Sequence, residues 1–375
     1  MNVVSLTSEL VAFPSVSERS NVPAAEFVRE RLLELGCRVE RVPYVDENGV
    51  KKLCVLGKLG EGRGGLSLLS HVDVVPVDGQ VWTGDPFKTR IVCGRLIGRG
   101  ACDMKGAIAA MVGAVNRVDS ATLRKPLWLA FTFQEEIGCH GAKLLERLAP
   151  LPVEHCIIGE PTGLRPAIRH KGYAAGIFRL HGRPCHSSDP NEGASAIHGA
   201  ARAIDALLGL ADEWQGRGEP DCGLEPPWTT MNIGMVEGGS ARNVVPEHAS
   251  FVLELRPLPG QSPQALFDEV HACAREAVAG IAGLDLEFEA HERDEALATD
   301  PQSDVVRWLV ERTGEQTITV PFYTEGPTFD RMGARTCICG PGEIAQAHRE
   351  DEWVELDALE AATDLYVDAI KEFCT

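Results

Sequence analysis

Three short, continuously apolar segments, each ending in an acid or an imidazole, most constrain what this chain can fold into. Apolar runs of this kind are typical of strands in a sheet that is covered on both faces. In such α/β proteins, ligands bind beyond the carboxyl ends of the strands. The pattern therefore predicts a functional site along one edge of a sheet. The segments are 66–69, followed by His71 and Asp73; 127–133, followed by Glu135 and Glu136; and 156–159, followed by Glu160.

Each of these polar clusters has an ordinary structural explanation when it is taken alone. His71 and Asp73 lie two apart, so an extended backbone points them to the same side, yet such a pair is more often part of a turn. Asp103, in GRGACDMKG before a helix of small residues, has the position of an N-cap. The structural alternative for Glu135 and Glu136 is that they lie at the solvated tip of a loop. The coincidence of several clusters is more informative than any one of them.

The composition excludes some classes of partner. The chain has 375 residues, with 36 basic and 55 acidic side chains and a net charge of −19. This charge repels nucleic-acid phosphates and anionic lipid, and no apolar run approaches the ~20 residues that span a bilayer. The amino-terminal segment lacks the features of a secretion signal. Twelve cysteines without a CxxC motif indicate reduced thiols, so we expect a cytoplasmic protein that binds neither nucleic acid nor membrane.

The pattern of predicted secondary structure changes near residue 168. From there the predicted order of elements is β-α-β-β-α-β, the ferredoxin-like pattern. We therefore predict an inserted α+β domain at 168–293 within a domain formed by 1–167 and 294–375. We expect exposed or irregular loops at 211–227 and 323–329. The predicted elements of the insertion are strand 171–180, helix 194–210, strands 231–236 and 250–256, helix 263–278 and strand 284–290.

The polar residues at the predicted strand ends suit divalent cations. Imidazoles and carboxylates without cysteine favour hydrolytic zinc, cobalt or manganese over a structural thiolate site. There are enough of them for two metals that share one carboxylate, with another carboxylate left as a general base for water. The spacing of these residues along the chain does not show which of them bind each metal, which one bridges and which one is the base. The residues are His71, Asp73, Asp103, Glu135, Glu136, Glu160 and His348.

Six motifs in order along the chain carry a resemblance to a known family. They are HVDVVP, GRGACDMKG, QEEIGCHGA, IIGEPT, GRPCHSSDP and GPGEIAQAH. The series resembles that of the di-zinc metallopeptidase and deacylase family, which includes acetylornithine deacetylase, succinyl-diaminopimelate desuccinylase and glutamate-type carboxypeptidases. IIGEPT, HSSDP, ELRPLPG and GPG-x-x-x-QAH are most similar to the deacetylases for acetylornithine and acetylcitrulline. The resemblance implies an α/β mixed-sheet di-metal catalytic domain with an inserted ferredoxin-like lid or dimerisation domain.

The resemblance also implies the metal ligands. His71 and Glu160 would bind one zinc or cobalt ion, and Glu136 and His348 the other. Asp103 would bridge the two, with a cis peptide bond to Met104.

Other residues would act on the ligands or on the substrate. Asp73 would hydrogen-bond to His71, and Glu135 would be the general base. His186 would reach across a homodimer to polarise the acyl oxygen; the alternative is a loop histidine with local hydrogen bonds. Four residues would contact the substrate. Arg256 would bind its α-carboxylate, and Asn243 would lie near the acyl oxygen. Lys171 would add positive charge, and Glu325 would lie near the amine or ureido end of the substrate. A structural ion pair for Arg256 and an exposed strand lysine for Lys171 remain alternatives.

The activity implied is removal of acetyl from an Nα-acetylated amino acid of arginine biosynthesis, acetylcitrulline or acetylornithine. A desuccinylase or carboxypeptidase is the alternative within the family. A metal-binding protein without catalysis is the alternative outside it, and the intact Glu135 argues against that. Three residues depart from the family pattern without removing a ligand: Gln134, Cys102 and Cys185.

Overall fold

The computed structural model describes residues 2–375. The chain forms two compact units. The first contains the residues up to Ile168 together with Thr299–Ile318 and Thr324–Thr375, and the second contains Arg169–Ala298 and Thr319–Tyr323. No helix within residues 2–375 has the length and apolar character that crossing a membrane requires.

The helices are α1 Val3–Val11, α2 Val22–Glu34, α3 Lys105–Val115, α4 His140–Leu148, α5 Ala196–Gly216, α6 Pro263–Val278, α7 Asp304–Thr313, α8 Gly326–Arg331 and α9 Leu356–Cys374. The strands are β1 Arg38–Val45, β2 Lys51–Leu59, β3 Leu66–His71, β4 Arg90–Val92, β5 Arg95–Ile97, β6 Leu127–Thr132, β7 His155–Pro161, β8 Ala167–His170, β9 Tyr173–His181, β10 Thr230–Gly238, β11 His248–Arg256, β12 Asp285–Asp294, β13 Leu297–Ala298, β14 Ile318–Thr319, β15 Arg335–Gly340 and β16 Trp353–Glu355.

A mixed sheet forms the centre of the first unit, as predicted. Its strands run in the order β1-β2-β6-β3-β7-β15. β6, β3, β7 and β15 are mutually parallel neighbours, whereas β1 and β2 are antiparallel. All six residues of β3 are buried, which agrees with the prediction of a strand covered on both faces. A small separate sheet has the order β16-β5-β4.

Small residues allow α3 to approach the sheet closely. All eleven residues of α3 are buried. Gly159 in β7 lies so near the helix that an added Cβ would stand 2.7 Å from the Cβ of Ala107. α1 and α9 pack against the same helix, and the buried hydroxyl of Tyr366 in α9 donates to the carbonyl of Cys339 at 3.0 Å. This packing fixes the segment before α3, which carries Asp103.

The second unit has the predicted ferredoxin-like order of elements. β9, α5, β10, β11, α6 and β12 follow one another, and the antiparallel sheet has the order β10-β11-β9-β12. Alternate residues of β9 are buried. Phe178 and Phe251 stack at 4.8 Å between ring centroids and pack with residues of α5 and α6 in one apolar core. One face of the sheet is therefore covered by the two helices.

Two predicted loops are partly wrong. Helix α5 continues to Gly216, because Leu207, Leu210 and Trp214 extend its buried face at helical spacing. Irregular structure therefore begins after residue 216 rather than at 211. The predicted loop at 323–329 contains the start of α8, which opens with Pro327 in its first turn. We also did not predict α4, whose start at His140 follows the left-handed Cys139.

Candidate metal centre

The predicted ligands converge because of the topology of the sheet. β3 ends at His71, β6 ends just before Glu135 and Glu136, and Glu160 lies at the end of β7. These three strands are parallel neighbours, so their carboxyl ends share one edge. Asp103 and His348 reach the same place from loops before α3 and after β15. All of these residues belong to the first unit.

One group of candidate ligands is fully buried. The Nε2 of His71 lies 3.2 Å from an oxygen of Asp103 and 3.6 Å from an oxygen of Glu160. The three ligand atoms of the group lie within 4.8 Å of one another. The three residues are at most 5% exposed, so an ion held here would be shielded from solvent.

A second group shares Asp103 with the first. The Nε2 of His348 lies 2.9 Å from Glu136 and 3.3 Å from the second oxygen of Asp103. These ligand atoms also lie within 4.8 Å of one another. The side chain of His348 is 52% exposed, so this group is open on one side. Asp103 thus offers one oxygen to each group, which is the arrangement of a bridging carboxylate.

Unpartnered atoms show that the residues fit divalent cations. The Nδ1 of His71 lies 3.0 Å from the carbonyl oxygen of Asp73. A carbonyl only accepts, so in neutral His71 the proton is on Nδ1 and the lone pair of Nε2 faces the carboxylates. Within residues 2–375, His71 Nε2, Asp103 Oδ1 and Glu136 Oε1 are buried without an aligned hydrogen-bond partner. Such a set of lone pairs is unfavourable in a dry site unless a cation lies among them.

The pKa shifts of the site residues reflect an excess of negative charge at the site. Burial opposes protonation of His71, but the carboxylates of Asp103 and Asp73 outweigh it and raise the pKa of the imidazole well above its usual value. The carboxylates of Asp103 and Glu136, which accept hydrogen bonds from the protonated ring, raise the pKa of His348 to about 10. Burial raises the pKa of Glu136 to about 7. Protons therefore balance the charge of the metal-free site, and metal binding would displace them.

Asp73 is held by a segment that we did not single out from the sequence. The hydroxyl of Ser17 donates to one oxygen of Asp73 at 2.6 Å, and the amide of Glu135 donates to the other at 3.3 Å. The carboxylate lies 3.6 Å from Nδ1 of His71, farther than the carbonyl of the same residue. Asp73 therefore orients His71 mainly through its main chain. The only sequence signal for Ser17 is the pair of serines in FPSVS.

Glu135 stands beside both groups without belonging to either. Its Oε2 is 3.9 Å from the Nε2 of His71, and burial raises the pKa of its carboxyl well above the usual value. The amide of Cys139 donates to the Glu135 carbonyl at 3.0 Å, and its thiol lies 3.6 Å from Oε1. Gln134 and Cys139 both have positive φ, at 52° and 53°. The tight turn thus fixes a carboxyl that is suited to accept a proton next to the centre.

A buried ion pair that the sequence did not reveal holds Asp103. Oε1 of Glu352 accepts from the amides of Cys102 and Asp103 at 2.9 and 3.0 Å. Its Oε2 accepts from Arg99 at 2.6 Å, and both side chains are 1% exposed. The Asp103–Met104 peptide is cis, as the resemblance implied. Cys102 is buried, and its thiol donates to the carbonyl of Glu343 at 3.5 Å.

Glu325 is buried close to the centre, and its contact with a substrate remains a prediction. It is 1% exposed. One of its oxygens accepts from the Thr132 hydroxyl at 3.0 Å, and the other has no aligned hydrogen-bond partner within residues 2–375. Burial raises the pKa of its carboxyl to about 7. In this conformation Glu325 acts on the electrostatics of the site.

The remaining candidates lie in the second unit. Lys171 is buried and donates to the Trp228 carbonyl at 2.6 Å. Arg256 pairs with Glu254 at 2.8 Å, so the structural ion pair that we considered is present. Its guanidinium also lies 4.7 Å from the centroid of the Tyr173 ring.

His186 and Asn243 are exposed neighbours in the same unit. The carbonyl of Asn243 accepts from the amide of Ser187 at 3.1 Å, next to His186. The amide of Ser188 donates to Nδ1 of His186 at 3.1 Å. Neutral His186 therefore carries its proton on Nε2. Substrate roles for all four second-unit residues remain predictions.

Nearly the whole chain matches known protein sequences. Residues 67–372 match the profile of peptidase family M20/M25/M40. An acetylornithine deacetylase of Myxococcus xanthus is 37% identical over 370 residues, covering 98% of this chain and 96% of the relative. An acetylornithine deacetylase of Proteus mirabilis (strain HI4320) is 33% identical over 378 residues, covering 99% and 96%.

Solved structures share the fold. A tripeptidase from Staphylococcus aureus superposes with a TM-score of 0.79 at 20% identity, covering 99% of this chain and 98% of that chain. A dinuclear metal-binding peptidase of the M20 family from Bacillus subtilis has a TM-score of 0.71 at 17% identity, covering 99% and 97%. At these identities the likeness shows the architecture alone.

The buried carboxyl of Glu325 yields a pH-dependent prediction. The folded protein keeps this proton up to about pH 7, whereas an unfolded glutamate loses it near pH ~4.3. The wild type therefore loses stability as pH rises between these values. Glu325→Gln removes that loss, so its unfolding free energy should exceed that of the wild type by up to ~3 kcal/mol at pH 8, and by almost nothing near pH 4.

Thermal unfolding of the chelated proteins between pH 4 and pH 8 measures this difference. Replacement of the exposed Glu9 by Gln serves as the control and should leave the curve unchanged. Superimposable wild-type and Glu325→Gln curves at pH 8 would show that folding does not raise the pKa of Glu325.

Proposed function

The chain belongs to peptidase family M20/M25/M40, and on that premise we propose that it is a metal-dependent amidohydrolase that deacetylates an Nα-acetylated amino acid of arginine biosynthesis. N-acetyl-L-citrulline and N2-acetyl-L-ornithine are the leading substrates. The observation that carries the proposal is the pair of ligand groups that share Asp103, with Glu135 beside them. The two acetylornithine deacetylases at 33% and 37% identity support the choice of substrate class.

The residues present would hold two divalent cations. His71, Asp103 and Glu160 would bind one ion, and Asp103, Glu136 and His348 the other. When bound, such ions polarise an acyl oxygen and lower the pKa of water. Zinc and cobalt both accept these nitrogen and oxygen ligands, so the proposal names either of them.

Glu135 would move the proton of the reaction. It would take a proton from the attacking water as the water oxygen bonds to the acetyl carbon, and pass it to the nitrogen as the C–N bond breaks. Acetate and the free amine are the products. The turn around Glu135 and the nearby thiol of Cys139 would hold the carboxyl in place for both transfers.

His186 and Arg256 would bind the substrate. Because Nδ1 of His186 accepts from the amide of Ser188, the neutral ring has Nε2–H free to donate to the acyl oxygen. Arg256 offers a guanidinium fork for the α-carboxylate, although its pairing with Glu254 would have to loosen. Asn243 and Lys171 would support the acyl oxygen and the negative charge of the substrate.

A homodimer is part of the proposal. β10 is an edge strand of the second unit, and Met235 and Val236 on it are 58% and 60% exposed. Natural proteins usually protect such edges, and pairing with the same strand of a second copy would do so. In that arrangement His186 would complete the centre of its partner.

We also propose a cytoplasmic location. The twelve cysteines, all within residues 2–375, form no disulfide, as is usual in a reducing compartment. Fractionation that finds the protein mainly outside the cytoplasm would contradict this.

A direct assay tests the substrate. The chelated protein is reloaded with zinc or cobalt and incubated with acetylcitrulline, acetylornithine, a succinylated diamino acid and a peptide that ends in glutamate. We expect acetate and free amine from at least one acetyl compound, at a higher kcat/KM than for the other two. Absence of acetate from both acetyl compounds would refute the proposed substrate. Preference for the succinyl compound or the peptide would favour the desuccinylase or carboxypeptidase.

Removal of the proposed base should separate catalysis from metal binding. Glu135→Ala and Glu135→Gln should each lower kcat by ~10² to 10⁴-fold, because a positioned base contributes that much. Metal content, measured by elemental analysis, should stay at the wild-type value because Glu135 is in neither ligand group. Exposed Glu30→Ala is the control. Unchanged turnover in either Glu135 variant would show that another residue is the base.

Mixing two inactive variants tests His186 and the dimer together. His186→Ala and Glu135→Ala subunits are unfolded together, refolded and assayed. If His186 acts across the dimer, about a quarter of wild-type activity should return, since half of the dimers are mixed and each has one intact site. If His186 acts within its own chain, no activity returns. A monomer in light scattering would also contradict the proposal.

A further inference from the structure

His348 is the most exposed of the candidate ligands. Its side chain is 52% exposed, whereas that of Asp103, which it faces, is 6% exposed. Its backbone has a φ of +61°, and Asp351 three residues later has a φ of +49°. Non-glycine residues pay a conformational cost in this region. Contacts from elsewhere must therefore keep the loop in place.

Gln80 supplies such a contact. Its Nε2 donates to the carbonyl oxygen of His348 at 2.8 Å. Its Oε1 accepts from Arg99 at 2.5 Å and from the indole of Trp82 at 3.1 Å. Because both of these partners only donate and the His348 carbonyl only accepts, the orientation of the amide is determined. Gln80 thus joins a fixed cluster to the backbone of a ligand.

The other end of this network is anchored beside Asp103. Arg99 is fully buried and forms its ion pair with Glu352. Glu352 in turn accepts from the amide of Asp103 at 3.0 Å. The carbonyl of Glu352 also accepts from the amide of Gly98 at 2.8 Å. One chain of hydrogen bonds therefore connects the backbones of two ligands of the second group.

Further contacts tie the two loops together next to Gln80. Asp351 accepts from the amide of Thr83 at 3.1 Å and from Arg90 at 2.7 Å. The amide of Val81 donates to Glu350 at 3.3 Å. These contacts hold the loop in general, but only Gln80 hydrogen-bonds the carbonyl of His348 itself among the side-chain contacts of residues 2–375.

We propose that Gln80 is a positioning residue that determines how tightly the cation at Asp103, Glu136 and His348 is retained. We expect binding at the fully buried group not to depend on Gln80, because Glu352 holds the amide of Asp103 directly and Gln80 reaches it only through Arg99. This inference rests on the proposed two-metal centre. Loss of a hydrogen bond that orients a ligand typically lowers metal affinity by ~10 to 100-fold, and the effect should fall on one of the two sites.

Two variants separate the functions of the Gln80 amide. Gln80→Ala removes both its donor and its acceptor. Gln80→Glu keeps an acceptor for Arg99 and Trp82 but loses the N–H that reaches His348. Gln264→Ala removes an amide that donates to Asp268 within α6, a helix of the second unit, and serves as the control.

Titration of the chelated proteins with cobalt, followed by absorbance and elemental analysis, tests the proposal without an activity assay. Wild type and Gln264→Ala should bind two equivalents. Both Gln80 variants should bind the first equivalent normally and the second ~10 to 100-fold more weakly. Thermal unfolding of the metal-free variants checks that each of them is folded. If Gln80→Ala does not fold, Gln80→Glu decides.

Two results would overturn the inference. One is a second equivalent that binds both Gln80 variants as tightly as it binds the wild type. The other is an equal weakening of both equivalents, which would mean that Gln80 supports the fold of the whole centre. A wild type that binds no cobalt would instead refute the proposed metal centre itself, so the two failures are distinguishable.

Discussion

The shared carboxylate of Asp103 is the constraint on which the rest of the site depends. One of its oxygens faces His71 and Glu160, and the other faces His348. For one side chain to serve both groups, its backbone must not shift. The packing of α3 and the amide hydrogen bond to Glu352 provide that rigidity. Asp103 is thereby held at the carboxyl ends of the parallel strands, where the other ligands also lie.

The arrangement of charged groups at this centre is electrostatically unfavourable without cations. Several carboxyls lie together in a buried place, and burial raises the pKa of Glu135, Glu136 and Glu160. Without cations, protons on the two histidines offset part of the negative charge. This arrangement is unfavourable as a purely structural device. It is expected of a site that binds cations and keeps one acid beside them.

Local patterns in the sequence were sufficient to predict much of this structure. The apolar strands that end at His71 and near Glu135, and the βαββαβ order of the second unit, follow from periodicity and from the residues after each strand. The metal roles themselves came from the resemblance to a family. The contacts of Glu352 with Asp103 and of Gln80 with His348 were not predicted, because they join residues about 250 to 270 positions apart. Helix α5 was predicted too short because its acidic, glycine-containing end resembles a loop, although Trp214 continues the buried face.

Anomalous diffraction from crystals loaded with zinc or cobalt would show whether Asp103 bridges two ions. Two peaks are expected ~3.5–4 Å apart, the separation of two-metal hydrolases. One should be bound by His71 and Glu160, the other by Glu136 and His348, and both by Asp103. A single peak, or two peaks that do not share Asp103, would show that Asp103 does not bridge two metal ions.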